Sequence, residues 1–255
     1  MRTKDKLLIY STGKSLETLG GVLDTINEKY DTLAWSQTIE WSLKKSFEPT
    51  YFSFLDPHSL MISSRFLSLK ESISTTALIL DPVLNTDYDA FFYNIGTTNI
   101  CNDKQRKDKK VRDALFENYV NTLNSIKVKE FRKISSTGCK NQKINIDANP
   151  EKRFLGDIVY LGDNALGPKV NRDKLTFACL PIAHWLGYKE IYLVGFDGLK
   201  GRFSNPLNNH GVPHFQMSYS ANIPLWLSWE QYHKMKIYSC MEHSFLNKWL
   251  ERKEL

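Results

Sequence analysis

The segment Asp173–Gly198, DKLTFACLPIAHWLGYKEIYLVGFDG, constrains the fold more than any other part of the chain. Asp173–Leu186 has too few polar positions for a surface helix and predicts a mostly buried one. Gly187 closes it, as glycine does where a helix ends in a left-handed residue. Glu190–Val194 follows as a short apolar run, the pattern of a strand covered on both faces and therefore parallel to its neighbours. It ends in Gly195-Phe196-Asp197-Gly198, an acid bracketed by glycines. Helix and buried strand in such close succession form a unit of an open parallel α/β sheet, where ligands bind outside the carboxyl ends of the strands. There Asp197 either lines a site or makes an Asx-type hydrogen bond within its own turn.

The alternation continues elsewhere. Leu7–Tyr10 predicts an opening strand. The turn Ser11-Thr12-Gly13-Lys14-Ser15 follows, then an amphipathic helix marked by Leu16, Leu19, Val22, Leu23 and Ile26. Such a turn brings backbone N–H groups toward an anion, although the spacing is not the GxxxxGK[ST] of a P-loop. Asp31–Ile39 predicts a second strand ending in Ser36 and Gln37. Thr50–Leu60 predicts a third that stops at Asp56-Pro57, and further strands are expected near Ala77–Leu80 and Ala90–Tyr93. Val111–Ile126 has helical periodicity, and Ser135–Glu151 is polar and aperiodic, a loop or lid. A helix from about Leu225, a strand Lys236–Cys240 and a helix Ser244–Trp249 complete the chain. The expected fold is α/β: a Rossmann-like parallel sheet flanked by helices, one domain over 1–255 with a lid insertion at about 97–156.

With 255 residues, 42% hydrophobic and 24% charged, the chain can bury a substantial core. No apolar run approaches the ~18 residues of a membrane span. The opening MRTKDKLLIY has too short an apolar segment for a secretory signal. A cytoplasmic protein is expected, with room for peripheral contact at the inner face of the membrane. The four cysteines include no CxxC pair and are expected as free thiols, Cys179 and Cys240 in the core. The net charge of +6 suits phosphate-rich partners. Much of it lies in KQRKDKKVR, Lys104–Arg112, which is either a solvated helix start or a contact for an anionic membrane or acceptor. No aromatic platform accompanies it, so nucleic acid is not expected.

Two of the six histidines, His210 and His214, sit four apart in NNHGVPHF. On a helix that spacing would hold a metal, but Gly211 and Pro213 oppose a helix. The readings are a metal site, which those two residues disfavour, a general base in a loop site, or a plain surface loop. Asp87-Tyr88-Asp89 fits the D-x-D pattern of metal-dependent glycosyltransferases, a triplet that also arises by chance in turns. Asp56 and His58 follow a predicted strand, where a site would lie. His184, within the buried helix, is expected as a packing residue.

Together these blocks resemble a known family. ACLPIAHWLGYKEIYLVGFDG is similar to a segment of the bacterial lipooligosaccharide sialyltransferases, glycosyltransferase family 42, and more loosely to the DUF115-related and motility-associated glycosyltransferases. YSTGKSL stands at the family's glycine-rich turn, AWSQ at its Asn-Gln strand end, HGVPH at its H-x-x-x-H, and MKIYSCMEHSFLNKWL at its terminal strand and helix. The resemblance implies transfer of a sugar, such as sialic acid or Kdo, from a CMP-activated donor to a surface glycan. It implies no metal or other cofactor, and homo-oligomers. His214 is the implied general base, suited to it because imidazole titrates near neutrality. Thr12, Gly13, Ser15, Ser36 and Gln37 are the implied nucleotide contacts, with Asp56, Asp197 and Arg172 lining the site and His210 beside the base. Two tyrosines that assist the leaving phosphate in the family fall near Leu199 and Phe203, neither of which is a hydroxyl donor. Lys200 and Arg202 beside them are the expected source of charge. The alternatives are a metal-dependent pyrophosphokinase acting on a pterin and a non-catalytic nucleotide- or glycan-binding relative.

Overall fold

Strand β1, Lys6–Tyr10, carries four consecutive fully buried side chains, Leu7 to Tyr10. Consecutive burial means both faces of the strand are covered, as in the middle of a parallel α/β sheet. Each such aliphatic side chain stabilises the fold by about 1.5–3 kcal/mol. The computed structural model describes residues 4–35, 38–54, 73–80, 88, 107–125, 128–134, 175, 179–197, 220, 223–224, 227 and 234–255. The chain divides into two compact units, Met1–Leu33 with Ser135–Leu255, and Ala34–Ile134.

In the first unit β1 pairs in parallel with β2 (Asp31–Trp35), Leu7 opposite Asp31 and Ile9 opposite Leu33. Its other edge pairs in parallel with β6 (Glu190–Val194), from Lys6 opposite Glu190 to Tyr10 opposite Val194. Strand β7 (Lys236–Ser239) adds to β6, and the two-residue β8 (Glu251–Arg252) adds to β7, both parallel. The order β2-β1-β6-β7-β8 thus runs outward from β1 in both directions. Helix α4, Leu180–Trp185, precedes β6. Gly187, at φ +83°, ends it with a Schellman pair of bonds, Gly187 N–H to the His184 carbonyl and Tyr188 N–H to that of Ala183. Sequence and structure agree here because the positive φ leaves glycine as the unstrained choice.

In the second unit β3 (Tyr51–Phe54), β4 (Ile73–Leu80) and β5 (Val128–Ile134) pair in parallel, with a register shift in β4 between Ile73 and Thr76. Helix α2, Thr38–Lys44, precedes β3, and α3, Lys109–Ser125, precedes β5. Tyr88 is fixed against α3: its hydroxyl donates to Asp113, and its ring packs edge-on to Phe116. The fold class is α/β, Rossmann-like, with parallel strands and intervening helices, as expected.

Several expectations are corrected. The amphipathic helix after the first turn is broken into a 3₁₀ helix, Lys14–Gly21, and α1, Leu23–Lys29, hinged at Val22. The adjacent Gly20 and Gly21 carry the highest entropic cost in a helix and weaken a continuous one. The second strand stops at Trp35, and Ile39 belongs to α2. There Thr38, Ile39, Trp41 and Ser42 are buried while Lys44 is exposed, a helical stripe. Strand β5 was not anticipated, because Val128, Phe131 and Ile134 recur every three residues instead of alternating. It lies, with α3, inside the range 97–156, where a helix and loops were expected as an insertion. Ser220, Ile223, Pro224 and Leu227 are helical in the region where a helix was expected from about Leu225, the strand Lys236–Cys240 ends at Ser239, and the last helix is 3₁₀, Phe245–Lys248. The strand expected at Ala90–Tyr93 and the loop Ser135–Glu151 lie outside the described residues.

Candidate functional site

Strand β1 continues in sequence toward β2 on one side, while β6, β7 and β8 lie on the other. The order therefore reverses between β1 and β6. In open parallel sheets a crevice forms at the carboxyl ends of the two strands flanking such a reversal, and ligands bind there. Two turns meet at this point, Ser11–Ser15 after β1 and Gly195–Asp197 after β6.

Three hydrogen bonds join them, and a fourth ties the first turn to the last residue of β6. Ser11 N–H donates to the Val194 carbonyl at 2.9 Å, and Gly13 N–H to the Gly195 carbonyl at 2.8 Å. In the other direction Gly195 N–H donates to Ser15 Oγ at 3.0 Å. Ser15 N–H donates to Asp197 Oδ2 at 2.9 Å. The 3₁₀ helix has Gly13 as its N-cap and no side-chain cap of its own. Asp197, 182 residues away in sequence, supplies that cap. A carboxylate suits the positive end of a helix as well as the orphan N–H. Both glycines are required by this contact. Gly195 has φ +77°, and a Cβ there would collide with the Ser11 carbonyl. A Cβ on Gly13 would strike Asp197 Oδ2 and lie 2.5 Å from the Gly195 oxygen.

The second turn is also tied to the end of β7. The Asp197 carbonyl accepts from Phe245 N–H at 3.0 Å, and Ser244 Oγ donates to the Phe196 carbonyl at 3.0 Å. Phe196 N–H points at Met241 Sδ, 3.2 Å away. Ser244 Oγ also accepts from Leu246 N–H and so caps the last helix. The segments that follow β1, β6 and β7 are thereby fixed to one another. Asp197 is buried, at 6% exposure, whereas Thr12, Gly13 and Ser15 are half-buried and Lys14 is exposed.

Of the residues proposed from sequence, Thr12, Gly13, Ser15 and Asp197 are brought together here. His214, His210, Arg202, Lys200, Arg172, Asp56, Ser36 and Gln37 lie outside the described residues, as do Asp87, Asp89 and His58. Neither earlier reading of Asp197 anticipated its main bond, which runs to another strand's turn. Ser11, Ser244 and Met241 were not singled out, although Ser244 opening a helical pattern is itself an N-cap signal.

Cys179 and Cys240 are free thiols, Cys179 buried and Cys240 partly so. Burial pushes the Cys240 thiol up to about 12, so it is no thiolate nucleophile at neutral pH. His184 is held below the usual imidazole range by burial and then by the charge of Lys234. That desolvation is consistent with a packing role within α4.

No family model matches the chain, and no curated protein matches it by sequence. Among solved structures it is similar to the sialyltransferase CST-II in complex with a trisaccharide acceptor and CMP. Identity is 13% and the TM-score 0.47, over 97% of this chain and 85% of that one. It is likewise similar to the sialyltransferase CstII from Campylobacter jejuni in complex with the substrate analogue CMP-3FNeuAc. Identity there is 15% and the TM-score 0.46, over 97% and 84% of the two chains.

Proposed function

We propose that the chain is a sialyltransferase-like glycosyltransferase. It moves an acid sugar, such as sialic acid or Kdo, from a CMP-activated donor to a cell-surface glycan. The observation that carries this reading is the meeting of two turns at the strand-order reversal. YSTGKSL and LVGFD, both part of the sequence resemblance, lie at the ends of adjacent strands that are locked together.

In this reading Thr12, Gly13 and Ser15, with Ser36 and Gln37, hold the nucleotide, and Arg172 and Asp56 line the donor pocket. His214 accepts the proton of the acceptor hydroxyl as that oxygen attacks the anomeric carbon, with His210 beside it. Lys200 and Arg202 face the phosphate of departing CMP and offset its charge. The transfer needs no metal. The enzyme works at the inner face of the membrane through peripheral contact, as a homo-oligomer. Among the described residues no helix is long and apolar enough to cross a membrane.

The test is His214→Ala assayed for transfer from CMP-sialic acid and CMP-Kdo, with CMP binding followed by thermal shift. The expected variant melts with the wild type, is still stabilised by CMP without magnesium, and transfers no sugar. Unchanged turnover would remove His214 from the mechanism. Stabilisation by ATP with magnesium, and not by CMP, would replace the transferase with the pyrophosphokinase.

A further inference from the structure

The turn after β1 has the outward form of a phosphate cradle, a glycine turn opening a helix at a strand-order reversal. Four of its six N–H donors, from Ser11 to Leu16, are already engaged. The N–H groups of Ser11, Gly13, Ser15 and Leu16 donate to the carbonyl of Val194, the carbonyl of Gly195, Asp197 Oδ2 and the carbonyl of Gly13. A phosphate cradle needs several neighbouring N–H groups converging on one anion. Here engaged donors flank Thr12 and Lys14 on both sides.

The space over the glycine is filled as well. In dinucleotide-binding turns glycine lets a pyrophosphate approach the backbone. At Gly13 the volume that a Cβ would take is closed by Asp197 Oδ2 and the Gly195 carbonyl. The protein's own carboxylate thus stands where a bound anion would stand, against the same N–H and over the same glycine.

We infer that Asp197 is a specificity-determining residue that closes this turn to phosphate, so that the turn receives the uncharged nucleoside portion of a ligand while its phosphate lies elsewhere. The closure is independent of the proposed function, whereas the nucleoside rests on that reading. Asp197 acts through the turn, by holding Ser15 N–H and Gly13, and by adding a negative charge that opposes a second anion within a few ångströms.

The experiment follows the backbone amide signals of Ser11–Leu16 and Gly195 by NMR in the full-length protein, titrated separately with inorganic phosphate, cytidine and CMP. In the wild type, millimolar phosphate is expected to leave Ser15 unmoved, while cytidine and CMP shift the turn. In Asp197→Ala, phosphate is expected to shift Ser15 and to bind about tenfold or more tightly than to the wild type. Asp197→Asn keeps an acceptor for Ser15 N–H without the charge and is expected to fall between them. It also serves as the test variant if the alanine protein does not fold. A phosphate shift at Ser15 in the wild type would overturn the inference. So would no gain of phosphate binding in a folded alanine variant, or in the asparagine variant where it replaces it. Phosphate gained on removing Asp197, with no cytidine or CMP binding to the wild type, would uphold the closure and refute the nucleotide reading instead.

Discussion

Gly195→Ala tests the lock between the two turns at its least tolerant point. The residue sits at φ +77°, where a side chain costs about 1–2 kcal/mol relative to glycine. Its Cβ would collide with the Ser11 carbonyl oxygen, lying 2.6 Å from that carbonyl carbon and 2.9 Å from the Ser11 nitrogen. The obstacle is backbone, so relief means moving one turn away from the other. That strains the bonds Ser11 to Val194, Gly13 to Gly195 and Gly195 to Ser15, each worth about 0.5–1.5 kcal/mol. Backbone strain plus one or two of these bonds gives a loss of about 2–4 kcal/mol. For a chain of this size that lowers Tm by roughly 4–16 °C. Gly20→Ala is the control. Gly20 is exposed in the 3₁₀ helix with nothing near its missing Cβ, so alanine there is expected to stabilise by up to about 1 kcal/mol. Urea unfolding of both variants gives the comparison. A Gly195→Ala protein as stable as the wild type, or a Gly20→Ala protein that loses as much, would refute the reasoning.

Ser46 is the one non-glycine residue of positive φ among the described residues, at +52° where α2 ends, so Ser46→Gly is expected to raise stability by about 1 kcal/mol in urea unfolding; no gain would show the position unstrained. Burial, then Lys234, holds the His184 pKa below 6.5 in the folded state, so the unfolded chain takes up its proton first. Stability due to this group is therefore complete above pH 6.5 and falls as pH drops to the folded pKa. His184→Gln should flatten that part of the curve between pH 5 and 8, and an unchanged slope would assign it to other groups. Lys107, Lys109 and Lys110 are exposed at the start of α3. Replacing all three with alanine is expected to weaken sedimentation with anionic vesicles by up to about 100-fold, at about 1 kcal/mol per lysine; equal sedimentation would remove this patch as a membrane contact.

Strands β1 and β6, which flank the candidate site, were legible because each is a short continuous apolar run, the pattern of a parallel strand covered on both faces. The cap at Gly187 was legible because a positive φ leaves few choices of residue. The second unit was harder to read. The spacing of Val128, Phe131 and Ile134 does not alternate, and α2 hides in a segment whose tryptophan and isoleucine suit a strand equally well. Local propensity is decided there by pairing with residues far along the chain.

Asp197 marks where sequence reading ends at the site. A glycine-flanked acid at the carboxyl end of a parallel strand is the same signal whether the carboxylate faces a ligand or caps another element. The outcome depends on which N–H lies opposite, and the register of β1 against β6 sets that. Tyr10 stands beside Val194, so the two turns leave the sheet side by side and Ser15 N–H reaches the carboxylate. The two glycines then follow from geometry, since one must pass beneath the carboxylate and the other against a carbonyl. The turn Ser11–Ser15 could be read from its form as one that suits an anion, and the resemblance named Thr12, Gly13 and Ser15 within it. The group they meet, a carboxylate supplied from 182 residues away, becomes visible only once the two strands are paired.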